Sequence, residues 1–159
     1  IVANLPYNIG TALLVSWLKS ASKFERFTLM FQKEVAKRLV AKPKTKTYGR
    51  LSILTQWLCE VKYEFDVPKS LFYPPPKVDS AVVSIIPRQK PLIPVKMESL
   101  ESVTSAAFGQ RRKMLRSSLR ALSIDPENCG ISQKRRAEDL SVTEFCALAA
   151  LLESPTSFC

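Results

Sequence analysis

Histidine is absent from this 159-residue sequence. Its absence excludes His-based catalysis and disfavours a zinc site, because the few cysteines show neither a C-x-x-C pair nor metal-ligand spacing. The four cysteines are Cys59, Cys129, Cys146 and Cys159. Long apolar runs are missing as well: none approaches the roughly 20 residues that span a bilayer, and no signal peptide precedes the first strand-like segment. We therefore expect reduced thiols, no metal, no membrane partner and a cytoplasmic location.

Acidic residues are also under-represented, and the formal net charge is +10. Such an excess suits a polyanionic partner, although many basic proteins only have a solvated surface. Residues 1–95 carry 15 Lys and Arg against 6 Asp and Glu, whereas residues 96–159 carry 9 against 8. Five of those nine bases fall between Arg111 and Arg120. This clustering is more informative than the total charge.

The first half of the sequence alternates strand-like and helix-like patterns. Short apolar runs predict buried strands at residues 1–3, 27–31 and 80–86, and alternation predicts one at 63–67. Helical spacing follows residue 11 and residue 33, and it recurs in Leu54, Trp57, Leu58 and Val61. This order predicts an α/β layer with a largely parallel sheet.

The pattern changes after the last predicted strand. Pro87, Pro91 and Pro94 interrupt residues 87–95, which we interpret as a linker. Beyond it the periodic stretches are helical, at residues 100–108, 108–122, near 134 and 141–152. Ser141 with Glu144 forms a capping box for the last helix. We therefore predict an α/β domain over residues 1–90 and a small all-helical domain over residues 91–159.

The heptapeptide NLPYNIG, residues 4–10, follows the first predicted strand. Ligands of open α/β sheets bind outside the carboxyl ends of the strands. Asn4 offers an amide oxygen, Leu5 is held extended by Pro6 so that its carbonyl has a fixed direction, and Tyr7 offers a flat face. Two acceptors beside an aromatic plane suit an aromatic amine such as that of adenine. From these residues alone, a capped turn that opens the next helix explains the motif equally well.

Basic side chains gather in three places. In the predicted helix over 108–122, leucines 115, 119 and 122 form a buried stripe, and basic residues follow a neighbouring face: Arg112, Arg116 and Arg120, with Arg111 and Lys113 at its start. A solvated helix surface would carry interspersed acids, but none occurs between Glu101 and Asp125. A second acid-free set comprises Lys42, Lys44, Lys46 and Arg50. The third, residues 134–136, is followed at once by two acids. Proteins recognise double-helical RNA through its shape and its phosphates. Such basic patches are therefore expected to position RNA on the protein more than to select its sequence.

Five stretches together resemble the bacterial small-subunit ribosomal RNA adenine dimethyltransferase family: NLPYNI, FQKEVAKRLVA, YGRLSIL, FYPPPKVDSAV and FGQRRKMLRSSL. They run in the family's order and cover residues 1 to about 120. Asn-Leu-Pro-Tyr alone is shared with many amino-directed methyltransferases, whereas PPPKVDSAV followed by FGQRRK is specific. The resemblance implies a Rossmann-like class I methyltransferase sheet, of which this chain holds the C-terminal half, followed by an RNA-binding helical domain.

The same resemblance implies the chemistry. S-adenosylmethionine would donate two methyl groups to each of two adjacent adenines near the 3′ end of small-subunit RNA. Asn4 and the Leu5 carbonyl, held by Pro6, would accept hydrogen bonds from the target amine, and Asn4 would also lie near the cofactor. Tyr7 and Phe72 would stack on the two faces of the extruded adenine. If the family resemblance is set aside, Phe72 is more simply interpreted as a residue that anchors the loop by packing against Leu71. Asp79 and Ser80 would fix the loop's return to the sheet.

A different class of function remains open, namely an RNA-binding or ribosome-assembly module whose catalysis is secondary or absent. The distinguishing feature is the glycine-rich loop that holds the cofactor, and Gly10, Gly49, Gly109 and Gly130 form no such loop. We therefore expect the chain to begin at the family's fourth strand and to bind no S-adenosylmethionine by itself. The expected partner is the immature small ribosomal subunit, and the full-length protein is expected to be monomeric.

Overall fold

The computed structural model describes residues 1–110 and 112–153. Within that part the chain forms four strands: β1 (Val2–Asn4), β2 (Phe27–Gln32), β3 (Cys59–Val67) and β4 (Ser80–Pro87). It forms six α-helices there: α1 (Gly10–Leu18), α2 (Lys33–Leu39), α3 (Arg50–Leu58), α4 (Met97–Gly109), α5 (Leu115–Ser118) and α6 (Val142–Glu153). Single 3₁₀ turns occupy Ala21–Lys23, Lys69–Leu71, Arg120–Leu122, Pro126–Cys129 and Ala137–Asp139.

The strands form one mixed sheet in the order β1-β2-β4-β3. β1 runs parallel to β2, with Asn4 opposite Met30, while β4 is antiparallel to both β2 and β3. The prediction of an α/β fold is confirmed, but that of a largely parallel sheet is wrong. The physical reason lies in residues 68–79, which join β3 to β4 without a crossover helix, so the chain reverses direction there.

Two predicted helices have different bounds in the structure. α3 ends at Leu58, and Val61 lies on β3 instead. The helix predicted over residues 108–122 is broken: α4 ends at Gly109, and α5 covers only Leu115–Ser118. Glycine disfavours helix continuation, and the following segment pairs with residues 133–136 instead. The backbone N–H groups of Leu115 and Arg116 donate to the carbonyls of Arg135 and Gln133 at 2.8 and 3.1 Å.

Burial follows the prediction in β2 and β4, but the prediction of a buried strand at residues 1–3 is wrong. Ile1 is 40% and Val2 86% exposed, because β1 lies at the edge of the sheet. Leu115 and Leu119 are fully buried as predicted, whereas Leu122 is only partly buried. The capping box is also confirmed, because the N–H of Ser141 donates to Glu144 Oε2 at 2.8 Å and the N–H of Glu144 donates to Ser141 Oγ at 3.2 Å. The local capping motif at Ser141 thus predicted the start of α6 correctly, whereas the leucine spacing over residues 108–122 did not predict the helix there.

Two clusters of buried apolar side chains stabilise the molecule. One lies between the sheet and helices α1 and α2 and includes Phe27, Leu29 and Ile85. The other lies among α3, α4, α5 and α6 and includes Trp57 and Phe145. Burial of this kind stabilises by roughly 25 cal/mol per Å² of apolar surface. The α3 helix thus connects the sheet to the helical part.

The proline-broken segment 87–95 packs against the end of α3. Trp57 Nε1 donates to the Ile93 carbonyl at 2.8 Å, the Leu92 N–H donates to the Trp57 carbonyl at 2.9 Å, and the Arg88 N–H donates to the Leu58 carbonyl at 2.8 Å. The connection between the sheet and α4 is therefore held in place along its length. None of the helices in the described residues is long and apolar enough to cross a membrane.

Candidate target-base pocket and RNA surface

The turn after β1 is shaped by hydrogen bonds and by one close approach. The Leu5 N–H donates to the Met30 carbonyl at 3.4 Å, and the Pro6 carbonyl accepts from the N–H of Gly10 at 2.9 Å to open α1. Gly10 is buried, and a Cβ there would lie 3.3 Å from Leu5 Cβ and from the Phe31 ring. A side chain at position 10 would therefore force Leu5 or Phe31 to shift by a few tenths of an ångström. The glycine of NLPYNIG lets the turn pack closely against β2.

A pocket of about 360 Å³ opens at the carboxyl ends of β1 and β2. Its lining brings together the five residues that the sequence singled out with three others: Asn4, Leu5, Pro6, Tyr7, Met30, Phe72, Pro74 and Pro76. Asn4 is exposed there, and no described residue hydrogen-bonds its amide or the Leu5 carbonyl. Two acceptors at the pocket wall are therefore free to bind a donor from outside.

Tyr7 forms part of the pocket wall with a fixed hydroxyl. Its Oη lies 2.6 Å from the Oγ of the fully buried Ser80, while the residue as a whole stays 38% exposed. Ser80 begins β4, directly opposite Gln32 of β2. The hydrogen bond holds the tyrosine ring beside the pocket and leaves part of the ring accessible.

Phe72 reaches the same pocket from the loop over residues 68–79. Two hydrogen bonds close this loop at its base: the N–H of Lys69 donates to Asp79 Oδ1 at 3.0 Å, and the N–H of Lys33 donates to the Asp79 carbonyl at 3.0 Å. The Tyr73–Pro74 peptide bond is cis. The prediction that Asp79 fixes the loop's return to the sheet is confirmed, whereas the side chain of Ser80 binds Tyr7 instead. Leu71, the packing partner expected of a mere loop anchor, is 72% exposed.

Sequence reasoning missed four contributions to the pocket. Met30, Pro74 and Pro76 line it, and Ser80 orients Tyr7 from outside. Met30 could have been found from the sequence, because it lies near the carboxyl end of a strand that follows β1 along the chain. The Ser80 contact could not, since it depends on β4 lying beyond β2.

The basic residues of the loop before α3 and of its first position are exposed. This holds for Lys42, Lys44, Lys46 and Arg50. Lys44 has φ = 69°, a left-handed conformation, and its N–H donates to the Glu138 carbonyl at 2.7 Å. The loop is therefore attached by its backbone to the segment that follows residues 134–136.

The first basic set, which was predicted on the helix over residues 108–122, is exposed but does not lie on one helix. Arg112 and Lys113 precede α5, Arg116 lies on it and Arg120 lies on the next 3₁₀ turn, so the prediction of a single helical face is wrong. Arg111 lies outside the described residues. Met114 forms an isolated antiparallel bridge with Arg136. Through this bridge and the Lys44–Glu138 hydrogen bond, all three basic segments are neighbours.

Arg135, in the third set, has a structural partner. Its guanidinium donates to both carboxylate oxygens of Glu144 and to the Asp139 carbonyl at 2.7 Å. Burial alone would raise the pKa of Glu144, but hydrogen bonds from Arg135 and Ser141 outweigh it, and the pKa lies below its usual range. Arg135 therefore orders the start of α6 and is not available to a phosphate.

The thiols of the described residues are poor nucleophiles. Burial raises the pKa of Cys59 to about 12 and that of Cys146 to about 11. Burial also raises the pKa of Cys129. A thiolate is the reactive form, so these residues do not provide covalent catalysis near neutral pH. The described part of the chain holds no group of three or more His, Cys, Asp or Glu side chains that could bind a metal ion.

The chain matches known proteins over nearly its whole length. The model of the family described as ribosomal RNA adenine dimethylase matches residues 1–154. "Ribosomal RNA small subunit methyltransferase A" of Rhodospirillum rubrum is 58% identical over 99% of this chain and 56% of that protein. The protein of the same name from Azorhizobium caulinodans is 52% identical over 94% of this chain and 53% of its own length. The chain thus spans little more than half the length of these relatives.

Solved structures agree with the sequence relatives. A dimethyladenosine transferase from Plasmodium falciparum superposes with a TM-score of 0.78, at 28% identity, over 97% of this chain and 66% of that one. The 23S rRNA methyltransferase ErmE gives a TM-score of 0.62 at 26% identity, over 96% of this chain and 64% of that one. The α/β part therefore has the Rossmann-like methyltransferase fold. Together with the family match, this shows that the chain belongs to the ribosomal RNA adenine dimethylase family.

Proposed function

We propose that the protein carrying this chain transfers methyl groups from S-adenosylmethionine to two adjacent adenines near the 3′ end of small-subunit ribosomal RNA. The observation that carries the proposal is the pocket in which Asn4, Leu5 and Tyr7 meet Phe72. Two unpartnered acceptors beside two aromatic side chains match an extruded base that carries an exocyclic amine. The names of the bacterial relatives support the choice of small-subunit RNA.

The acceptors would act on the amine directly. The Asn4 amide oxygen and the Leu5 carbonyl would each accept one N–H of the adenine amine, which turns its lone pair out of conjugation and aims it along one line. No general base of tuned pKa is needed, because the nitrogen loses its proton only after it has become cationic. Catalysis would then come from positioning and from dipoles fixed beside the developing charge.

The aromatic side chains would hold the base. Tyr7 would stack on one face of the adenine and Phe72 on the other, each contributing roughly 1–3 kcal/mol. Extrusion of a base costs a few kcal/mol, so a clamp of two rings offsets it. The Tyr7–Ser80 hydrogen bond of 2.6 Å limits rotation of the first ring before RNA arrives.

Asn4 is the residue of this chain that we expect to contact the cofactor. Its exposed, unpartnered amide at the carboxyl end of β1 is suited to contact the methionine portion of S-adenosylmethionine as well as the amine. When bound, the cofactor supplies an electrophilic methyl group on a sulfonium. That the 159-residue chain binds no S-adenosylmethionine by itself stays a prediction.

The exposed lysines and arginines around Lys44 and Met114 would position the RNA on the protein. The proposed contacts are Lys42, Lys44, Lys46, Arg50, Arg111, Arg112, Lys113, Arg116 and Arg120. Their support is that the segments which carry them are joined through Lys44–Glu138 and Met114–Arg136 into one neighbourhood. Residues 91–159 would thus form the RNA-binding domain, and residues 1–90 the base-binding part of a monomeric, cytoplasmic enzyme that acts on the immature small subunit.

The direct test is methylation of small subunits that lack the modification. The full-length protein is incubated with S-adenosylmethionine, and the RNA is digested and analysed by mass spectrometry. The proposal expects two dimethyladenosines per particle at adjacent positions. Tight binding of the particles without any methyl transfer would instead indicate the RNA-binding module.

A further inference from the structure

The loop over residues 68–79 carries some side chains that line the target-base pocket and others that do not. Phe72, Pro74 and Pro76 line that pocket, whereas Tyr73 and Pro75 are not part of its lining. Tyr73 is fully exposed. An aromatic ring that buries nothing adds nothing to folding, so its position calls for another explanation.

The backbone that carries Tyr73 is held in place. The base of the loop is closed by the hydrogen bond from the Lys69 N–H to Asp79 Oδ1 at 3.0 Å. Prolines at 68, 74, 75 and 76 fix φ at four of its positions. Little conformational entropy remains to be lost when a ligand meets the ring, which favours binding.

A second cleft, of about 460 Å³, is lined by the two ends of the same loop and shares no lining residue with the target-base pocket. Four lysines line it: Lys33, Lys37, Lys69 and Lys77. Lys33 is paired with Asp66 at 2.6 Å, and the other three form no ion pair with a described residue. Of the two carboxylates in the lining, Glu34 is paired with Arg38, whereas Asp79 accepts the neutral Lys69 N–H and keeps its negative charge. The lining therefore carries more positive than negative charge, and three of its ammonium groups are not held in an ion pair by a described carboxylate.

An exposed aromatic ring beside unpaired ammonium groups is the arrangement that binds single-stranded nucleic acid, through base stacking and phosphate contacts. We propose that Tyr73 stacks on the unpaired base next to the extruded adenine, while Lys37, Lys69 and Lys77 contact phosphates of the same RNA strand. The strand would cross the loop at Tyr73, with the target base on one side and its backbone on the other. This inference rests on the proposed function and extends the RNA site beyond the target base.

The test of stacking uses an RNA hairpin with two adjacent adenines and 2-aminopurine at the neighbouring position. Binding of the full-length protein should quench the 2-aminopurine. Tyr73→Ala should remove most of the quenching and weaken binding about five- to twentyfold, and Tyr73→Trp should restore both. Phe65→Ala, which removes a 58% exposed aromatic ring on β3, is the matched control and should change neither.

Several results would overturn the inference. Wild-type protein that leaves the 2-aminopurine unquenched, or Tyr73→Ala that quenches equally, removes the stacking contact. A loss of binding to small-subunit particles but not to the hairpin would place Tyr73 against a ribosomal protein. Methylation of small subunits by the wild type, measured in parallel, keeps the two proposals apart, because the enzyme can be active while Tyr73 is irrelevant.

The lysines are tested through salt. The triple variant Lys37→Ala, Lys69→Ala, Lys77→Ala should lower the slope of log K against log salt by about 0.7 for each lost single-strand contact, or about 2 in all. The control is Lys19→Ala with Lys23→Ala, two exposed lysines that precede β2 and therefore lie at the other end of the sheet from the pocket. An unchanged slope in the triple variant would show that the cleft binds no phosphate.

Discussion

Tyr7 Oη and Ser80 Oγ lie 2.6 Å apart, which joins the turn after β1 to the start of β4 across the end of β2. β1 and β4 are not neighbours in the sheet, so this hydrogen bond crosses the edge where the pocket opens. It fixes the ring of Tyr7 relative to the loop that carries Phe72. The orientation of the Tyr7 ring therefore depends on the position of β4 as well as on the turn after β1.

The Tyr7–Ser80 pair leads to a graded prediction. Tyr7→Ala should lower kcat/KM by about 30- to 800-fold, because a stacking face worth roughly 1–3 kcal/mol and a hydrogen bond of about 1 kcal/mol are both lost. Tyr7→Phe keeps the face and loses one hydrogen bond of about 1 kcal/mol, so it should cost only about fivefold, and Ser80→Ala should match it. Steady-state kinetics on small-subunit RNA measure all three. Equal losses for Phe and Ala at position 7 would show that the ring does not stack.

Phe72 gives a second prediction, which separates base contact from loop anchoring. Phe72→Ala should lower kcat/KM by about tenfold or more, and Phe72→Tyr should retain most activity because it keeps a flat face. The melting temperature should stay nearly constant in both. Leu71→Ala, which removes an exposed neighbour, is the control. A parallel fall in melting temperature and activity for Phe72→Ala would instead make Phe72 a structural anchor.

Exposed arginines around α5 give a third prediction. Reversal of charge at Arg112, Arg116 and Arg120 should weaken binding to small-subunit particles and reduce the slope of log K against log salt by nearly one unit for each lost phosphate contact. Filter binding over a salt series measures the slope. The account predicts this although the three residues lie on separate turns, because all are exposed. If the slope is the same as in the wild type, these arginines belong to a solvated surface.

Glu144 gives a prediction about acid stability. The pKa of its carboxyl is lowered in the folded protein despite burial, by Arg135 and Ser141. A lowered folded-state pKa means that the stabilisation is present above the ordinary value of 4.5 and disappears as pH falls through the folded value. Glu144→Gln should therefore reduce the free energy of unfolding by about 1 kcal/mol at pH 7, and much less near pH 3. Thermal denaturation at both pH values checks this.

The control for that experiment is Glu25→Gln, which changes an exposed carboxylate before β2. It should leave the pH dependence of the melting temperature unchanged. A Glu144→Gln variant as stable as the wild type at pH 7 would show that the Arg135 contact contributes nothing measurable.

The candidate pocket was largely predictable from the sequence because its residues are specified by local chemistry. Asn4 ends the first strand, Leu5 and Tyr7 follow it directly, and Pro6 fixes the turn between them. Phe72 was assigned only through family resemblance, since it lies far along the chain from Tyr7. Its position in the pocket depends on where β4 lies in the sheet, which residue patterns near Phe72 do not encode.

The periodicity of the sequence could not predict the break after Gly109 or the direction of β4. Leu115 and Leu119 have the same spacing in a short helix as in a long one, so their burial did not reveal that the chain turns after Gly109. The turn is stabilised by pairing with residues 133–136, a contact between distant parts of the chain. Strand direction was similarly hidden, because a buried run such as residues 80–86 reads the same in a parallel and an antiparallel sheet.

The central claim is that Asn4 acts on the reacting amine, and one comparison of variants tests it most directly. Methyl transfer by Asn4→Ala is measured under single-turnover conditions with saturating RNA and S-adenosylmethionine, beside Asn8→Ala, which changes an exposed asparagine of the same turn that does not line the pocket. We predict that Asn4→Ala loses at least about a hundredfold in rate, with RNA binding nearly unchanged, while Asn8→Ala stays near wild type. An Asn4→Ala rate above about a tenth of wild type, roughly 1.4 kcal/mol of barrier, would contradict the account.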